Sequence, residues 1–294
     1  MNPSRLRKRL PNVAILLLLL LCAGCGSPFF HPDKTVVVPP FLDRVVREEV
    51  AFTAGDGVKL HGWLLSPKGG TPPRGTVLFL HGNAGNIGTH VGAVAWIAES
   101  GYRVFTFDYR GYGKSEGTPT AKGVHEDARA ALALLPTLRG VDRDRIAVLG
   151  QSLGGSIAVY TVAHAPDKSL VKALVIEGAF AGWRRIVRDK LTSTVIGWPL
   201  AYPASWCFDD RYSAERWIGG IAPIPVAIIH GTADAVVPYR HGEILYGKAM
   251  NPKGFWTVRD GGHVRAFAEE GVRRQFIEFL DAWVAQEKPL AAGQ

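Results

Sequence analysis

The 294 residues are 47% hydrophobic and 20% charged, a balance that excludes an intrinsically disordered chain and a highly charged nucleic-acid tail. The formal charge of +8 falls to +4 without the first 24 residues, which hold Arg5, Arg7, Lys8 and Arg9 and no acid. No later Lys/Arg cluster with interleaved aromatics points to nucleic acid, and the length suits one α/β domain with a core that needs no disulfide or metal staple.

In chain order, residues 1–25 read as a targeting segment. A basic stretch precedes the apolar run Val13–Leu21 and then Cys22-Ala23-Gly24-Cys25. The apolar part is shorter than the roughly 20 residues a helix needs to span a bilayer, so export suits it better than a membrane span. Its ending resembles a bacterial lipobox, with Cys22 where Leu, Val or Ile is usual. That resemblance implies cleavage before Cys25, lipid on Cys25 and an exported, membrane-anchored protein. Cys207 would then have no intrachain partner, and three scattered cysteines give no zinc spacing.

Residues 26–46 read as a tether. Pro28, Pro32, Pro39 and Pro40 disfavour helix and strand ladders, and fully extended the segment could reach ~65 Å. Phe29, Phe30 and Phe41 are unlike a linker and allow part of it to pack back. Next, Val50–Thr53 and Val58–Leu65 alternate around Ala54-Gly55-Asp56-Gly57, which predicts an antiparallel hairpin with an Asp-Gly turn. Short apolar runs follow at Thr76–Leu80, Val104–Phe107, Arg145–Leu149, Ala173–Ile176 and Val226–Ile229, as expected of parallel strands buried on both faces. Helices are expected between them at Val91–Glu99, Gly123–Leu138, Leu153–Ala163, His241–Ala249 and Glu269–Gln286. The pattern predicts one α/β domain over residues 47–294. Only Phe180–Ile221 breaks the alternation. It holds eight of the 29 aromatics and no convincing strand, and is read as a helical cap over the site.

Gly150-Gln151-Ser152-Leu153-Gly154 fits G-x-S-x-G between a strand and a helix, the setting of a nucleophile elbow. A serine nucleophile needs a base, and the base an orienting acid. His263, in the loop Asp260-Gly261-Gly262-His263 after the short predicted strand Phe255–Val258, is the candidate base. Asp234, in His230-Gly231-Thr232-Ala233-Asp234, is the candidate acid, framed by Gly231 and Pro238. Glu177 and Asp260 compete for that role. Each of the three chosen sites lies beyond the carboxyl end of a predicted strand, where open α/β sheets bind ligands. Acyl transfer also needs amide donors for the oxyanion, and the candidates are the N–H groups of Leu153 and of Asn83 in His81-Gly82-Asn83-Ala84-Gly85-Asn86. His81 and His230 are expected to support their loops, Asp108 to hold the Tyr109–Gly113 loop, and His125 to be solvated. The Gly82–Gly88 stretch lacks the phosphate-loop patterns, so no nucleotide, metal or other cofactor is expected.

From Glu48 to Trp283 the chain resembles the α/β-hydrolases. Leu80–Asn86, Asp108–Gly113, Gly150–Gly155 and His230–Pro238 are similar to the bud-emergence/depalmitoylase-like branch. The resemblance implies a mostly parallel sheet with Ser152 as nucleophile, Asp234 as acid, His263 as base, and Asn83 with Leu153 as oxyanion donors. The resemblance says little of the substrate; the expected activity is hydrolysis of a small carboxylic ester or thioester through an acyl-enzyme, without a cofactor. A serine peptidase of the same fold and a non-catalytic binding lipoprotein remain the alternatives, and the oligomeric state stays open.

Overall fold

The computed structural model describes residues 29–193 and 197–285. The expected lipidation site Cys25 and the expected signal segment lie outside them. Ten strands run in chain order: β1 (His31–Pro32), β2 (Val46–Thr53), β3 (Lys59–Ser66), β4 (Thr76–Leu80), β5 (Ala84–Gly85), β6 (Arg103–Asp108), β7 (Ile146–Gln151), β8 (Val171–Glu177), β9 (Val226–Gly231) and β10 (Lys253–Val258). Eight form one sheet in the order β10-β9-β8-β7-β4-β6-β3-β2. Only β3 runs against its neighbours β2 and β6. The other pairs are parallel, so the expected sheet forms, with its antiparallel start closed where the Gly57 amide donates to Ala54 O.

The central strands β4, β7 and β9 are buried along their whole length, because helices cover both faces. On one face the core gathers Phe105, Phe107, Val124, Ile157 and Trp183. These rest under helices α3 (Ala121–Leu134) and α4 (Leu153–Ala163) and the segment after β8. On the other face Val77, Leu149, Val175 and Ile229 meet Ile97, Phe276 and Leu280. Those last residues come from α2 (Ala95–Glu99) and α9 (Glu270–Trp283), while α1 (Ile87–His90) follows β5.

Between β8 and β9 the described residues form α5 (Trp183–Thr192), a 3-10 turn at Trp198–Leu200, α6 (Ala201–Trp206), α7 (Ala214–Trp217) and two further 3-10 turns. Helix α8 (Arg240–Lys248) follows β9. No described helix is long and apolar enough to cross a membrane.

Two expectations need correction. Residues 29–46 do not hang as a free tether. β1 pairs with β5, and Phe30, Leu42 and Val45 are buried, since their apolar area outweighs the extended preference of the prolines. His125 is buried rather than solvated. Its ring stacks on Tyr212 at 4.6 Å, and its Nδ1–H donates to Ala121 O over 2.5 Å. Cys207 is disulfide-bonded.

Candidate active site

Strand β7 runs into α4 through a turn whose pivot is Ser152, with φ 53° and ψ −116°. A non-glycine residue with positive φ is a strained conformation, kept only where its surroundings enforce it. Here the Ser152 amide donates to Glu177 O over 2.8 Å, tying the pivot to β8. Gly154 makes the close approach possible. A Cβ there would stand 1.9 Å from Leu80 O, so the helix could not pass the end of β4 with any other residue.

The two partners arrive from loops after β9 and β10. The hydroxyl of Ser152 donates to His263 Nε2 over 2.9 Å. With Nε2 accepting, Nδ1 carries the proton and donates to Asp234 Oδ2 over 2.7 Å. Asp234 Oδ1 accepts from the amides of Val236 and Val237, each at 2.8 Å. Burial opposes ionisation of this carboxyl. The His263 bond, the Val237 amide, the imidazole charge and the Val236 amide outweigh that, and its pKa lies below the ordinary aspartate value. The order Ser–His–Asp in space therefore joins residues separated by up to 111 positions in sequence.

The rival acids have other partners. Glu177 is buried and accepts from Gln151 Nε2 at 2.6 Å and from the Ala266 amide at 2.8 Å. It braces the serine turn against the histidine loop, and burial raises its pKa. The Asp260 amide donates to Thr232 Oγ1 over 2.8 Å, which fixes the loop before His263. His230 donates through Nε2–H to Val237 O over 2.9 Å, and His81 through Nδ1–H to Gly82 O over 2.7 Å. Both rings are buried, and burial drives their pKa values down, that of His81 to about 3.

Asn83 and Leu153 line the same cavity as Ser152 and His263. The Leu153 amide is at the first position of α4, where an N–H has no intrahelical acceptor. The Asn83 side chain is held from two sides. Its Nδ2 donates to Phe29 O over 2.5 Å, and its Oδ1 accepts from the Tyr112 hydroxyl over 2.8 Å. Asp108 secures the following turn by accepting the Ile87 amide at 2.8 Å, and the buried Tyr109 hydroxyl donates to His81 O over 3.2 Å. The Asp108–Gly113 motif thus braces the Asn83 turn from behind.

The cavity measures about 450 Å³. Its walls are mainly apolar, with Phe29, Phe180, Ile186, Val236, Val237 and Val264, and the cation Lys190 stands among them. Two contributors escaped the sequence. Phe29 enters because the N-terminal segment packs against Trp183 at 4.9 Å and Phe180 at 6.2 Å; its unlinker-like aromatic character was the available signal. Lys190 gave no signal at all. Among the described residues no group of three or more His, Cys, Asp and Glu is placed to hold a metal ion.

Strand order, serine turn and helical layers together define an α/β hydrolase, and the alpha/beta hydrolase fold family matches residues 75–195. The chain belongs to the α/β-hydrolase family. It is 34% identical to YfhR of Salmonella typhi, covering 91% of this chain and 92% of that one. It is 30% identical to protein bem46 of Schizosaccharomyces pombe, over 77% and 74%. Among solved structures it shares the fold of the Pyrococcus furiosus esterase Pf2001, with a TM-score of 0.70, 24% identity, and coverage of 87% and 98%.

Proposed function

We propose that the protein is a serine esterase acting on small carboxylic esters or thioesters through an acyl-enzyme. The observation that carries this reading is the unbroken hydrogen-bond line from Ser152 through His263 to Asp234 at the floor of an apolar cavity. In this mechanism His263 Nε2 takes the hydroxyl proton as Ser152 Oγ attacks the acyl carbon. Asp234 keeps the imidazole in the required tautomer and offsets its positive charge. The amides of Asn83 and Leu153 receive the tetrahedral oxyanion, a contribution worth about 3 kcal/mol per donor in related chemistry. His263 then protonates the departing alcohol or thiol, and water, deprotonated by the same imidazole, releases the acid. No cofactor takes part.

The test is labelling with a fluorophosphonate, which reacts with activated serines, alongside hydrolysis of p-nitrophenyl esters. Label on Ser152, and its loss with turnover in Ser152→Ala, supports the reading. An unlabelled, folded wild-type protein sinks it and leaves a binding module.

We also propose that Cys25 is lipidated and holds the protein on a membrane, as the basic and apolar leader before Ala23-Gly24-Cys25 suggests. Several acyl chains hold firmly where one holds only marginally. Cleavage before Cys25 would remove Cys22 and lipid would occupy Cys25, so a disulfide on Cys207 and this modification exclude each other within one mature chain. Mass analysis of the mature N-terminus and of Cys207 decides between them.

A further inference from the structure

Eleven large apolar side chains are exposed among the described residues, and four fall within nine consecutive positions of the cap. These are Trp198, Leu200, Tyr202 and Trp206, exposed by 67, 41, 61 and 69%. Trp198, Tyr202 and Trp206 are four residues apart and share one side of the helical run, while Ala201 and Ser205 are buried. Scattered exposed apolar residues are ordinary, but an aromatic stripe of this kind marks an interaction surface.

Beside the stripe lies a pocket of about 250 Å³, lined by Arg185, Arg188, Asp189, Thr192, Tyr202 and Arg240. Tyr202 belongs to both features. Three guanidinium groups face one carboxylate there, and Asp189 is already engaged by Arg240 and by His241 at 2.7 Å. Arg185 pairs with Glu215 at 3.1 Å. Arg188 has no carboxylate partner among the described residues; it donates to Arg184 O over 3.1 Å and lies over the Tyr202 ring at 5.4 Å.

We infer that this face of the cap docks on a bilayer surface bearing anionic headgroups. Amphipathic Trp and Tyr rings settle at the boundary between headgroups and acyl chains, and a neighbouring cationic pocket supplies attraction to anionic lipid. Chain connectivity favours the same occupant. The described chain begins at Phe29, whose ring is 6.0 Å from that of Phe208, two residues beyond α6. Only three residues lie between Cys25, the proposed lipidation site, and Phe29, a reach of at most ~14 Å. If lipid on Cys25 enters a membrane, as the anchoring reading holds, the cap is on the side of the domain joined to it. Helix α5 then links docking to the site, since Ile186 and Lys190 line the Ser152 cavity while Arg185 and Arg188 line the cationic pocket.

The experiment uses the full chain with vesicles of phosphatidylcholine and phosphatidylglycerol whose acyl chains carry bromine, a contact quencher of tryptophan. The variants are Trp198→Ser/Trp206→Ser, Arg188→Gln, and the control Trp283→Ser on α9, which packs on the opposite face of the sheet. Docking predicts that more than half of the bromolipid quenching disappears in the double variant and persists in Trp283→Ser. It also predicts stronger quenching with phosphatidylglycerol than with phosphatidylcholine alone, a difference reduced by Arg188→Gln. Circular dichroism establishes that each variant is folded. If quenching is lost while co-sedimentation persists, the docked cap and the anchor are both supported. If both are lost, docking stands and the anchoring reading fails. Equal quenching in wild type and double variant overturns the proposal, as does equal quenching on the two lipid compositions. So does a wild-type dimer in detergent that becomes a monomer in the double variant, which would assign the stripe to a second copy.

Discussion

The serine turn and the cap are built on opposite terms. Around Ser152 the backbone has one available path: the pivot carries positive φ, Gly154 leaves no room for a Cβ against Leu80 O, and Glu177 ties the turn to the histidine loop. The cap is a string of short helices with four large apolar side chains on its outer side. It contributes walls to the cavity but no member of the Ser–His–Asp line. Chemistry that needs fixed geometry is placed on strand ends, where neighbouring strands over-determine each position. Contact with substrate and surroundings is left to the segment with the fewest packing constraints.

That contrast predicts a steep ranking of effects. The largest is expected at the pivot itself. Ser152→Ala and His263→Ala should each lower kcat by about 10⁴ or more, because members of such a set act as a unit, while leaving thermal unfolding nearly unchanged. A purified Ser152→Ala protein with wild-type ester turnover would falsify the assignment. Gly154→Ala should instead fail through the fold. Its Cβ meets a backbone carbonyl that cannot move without displacing β4, so destabilisation of about 3 kcal/mol or more is expected by denaturant titration.

Acid provides the next break. Burial lowers the pKa of His125 to about 4 and that of His81 to about 3, from 6.5. Below pH 6.5 the unfolded chain binds protons that the folded state refuses, so stability falls as pH drops. The loss for His125 alone should approach about 3 kcal/mol near pH 4. His125→Phe, which keeps the stack on Tyr212, should flatten that limb; an unchanged pH profile of unfolding would count against a neutral, buried ring.

The same contrast explains what could be read in the sequence. The sheet was legible because strands buried on both faces must be apolar: Thr76–Leu80 matches β4 residue for residue, and the expected helix Leu153–Ala163 matches α4 likewise. The site was legible because each functional side chain sits at a strand end in a glycine-marked turn. The N-terminal segment was read only in part: its prolines advertise irregular backbone, and Phe29 and Phe30 signalled packing without saying against what. Phe30 and Leu42 are nonetheless buried, and Phe29 reaches the cavity wall. His125 was misread for a related reason. Its helical neighbours Glu126 and Asp127 suggested solvent, yet Asp127 is itself buried against Arg110 at 2.7 Å. The cap was visible only as an interval without strands.

A smaller effect should come from the brace behind the oxyanion turn. Tyr112→Phe removes the hydroxyl that donates to Asn83 Oδ1, a bond worth about 1 kcal/mol. Because Tyr112 acts through Asn83, kcat should fall by less than about tenfold with KM almost unchanged. A fall confined to KM would show that the brace shapes ground-state binding instead.

The smallest effect is expected in the cap, and it separates the esterase from a peptidase of the same fold. A peptidase acting at free N-termini needs a carboxylate to hold the substrate ammonium. The cap has four acids. Asp189 holds His241 and Arg240; Glu215 holds Arg185 and Lys248; Asp209 caps its own turn through the Arg211 amide; and Asp210 accepts from Ser213. None of the four lines the Ser152 cavity, where the one acid-or-base side chain from the cap is the cation Lys190. Asp209→Asn and Asp210→Asn, alone or together, keep an oxygen acceptor of the same shape and should change kcat/KM for acyl esters by no more than about twofold, the range of substitutions away from a site. On the native protein, short-to-medium acyl esters should be cleaved faster than aminoacyl amides of similar size, each fitted methylene adding up to about 0.8 kcal/mol until the cavity is full. Faster cleavage of the amides, with a loss when Asp209 and Asp210 are neutralised, would move the ammonium-binding group into the cap and the protein into the peptidases.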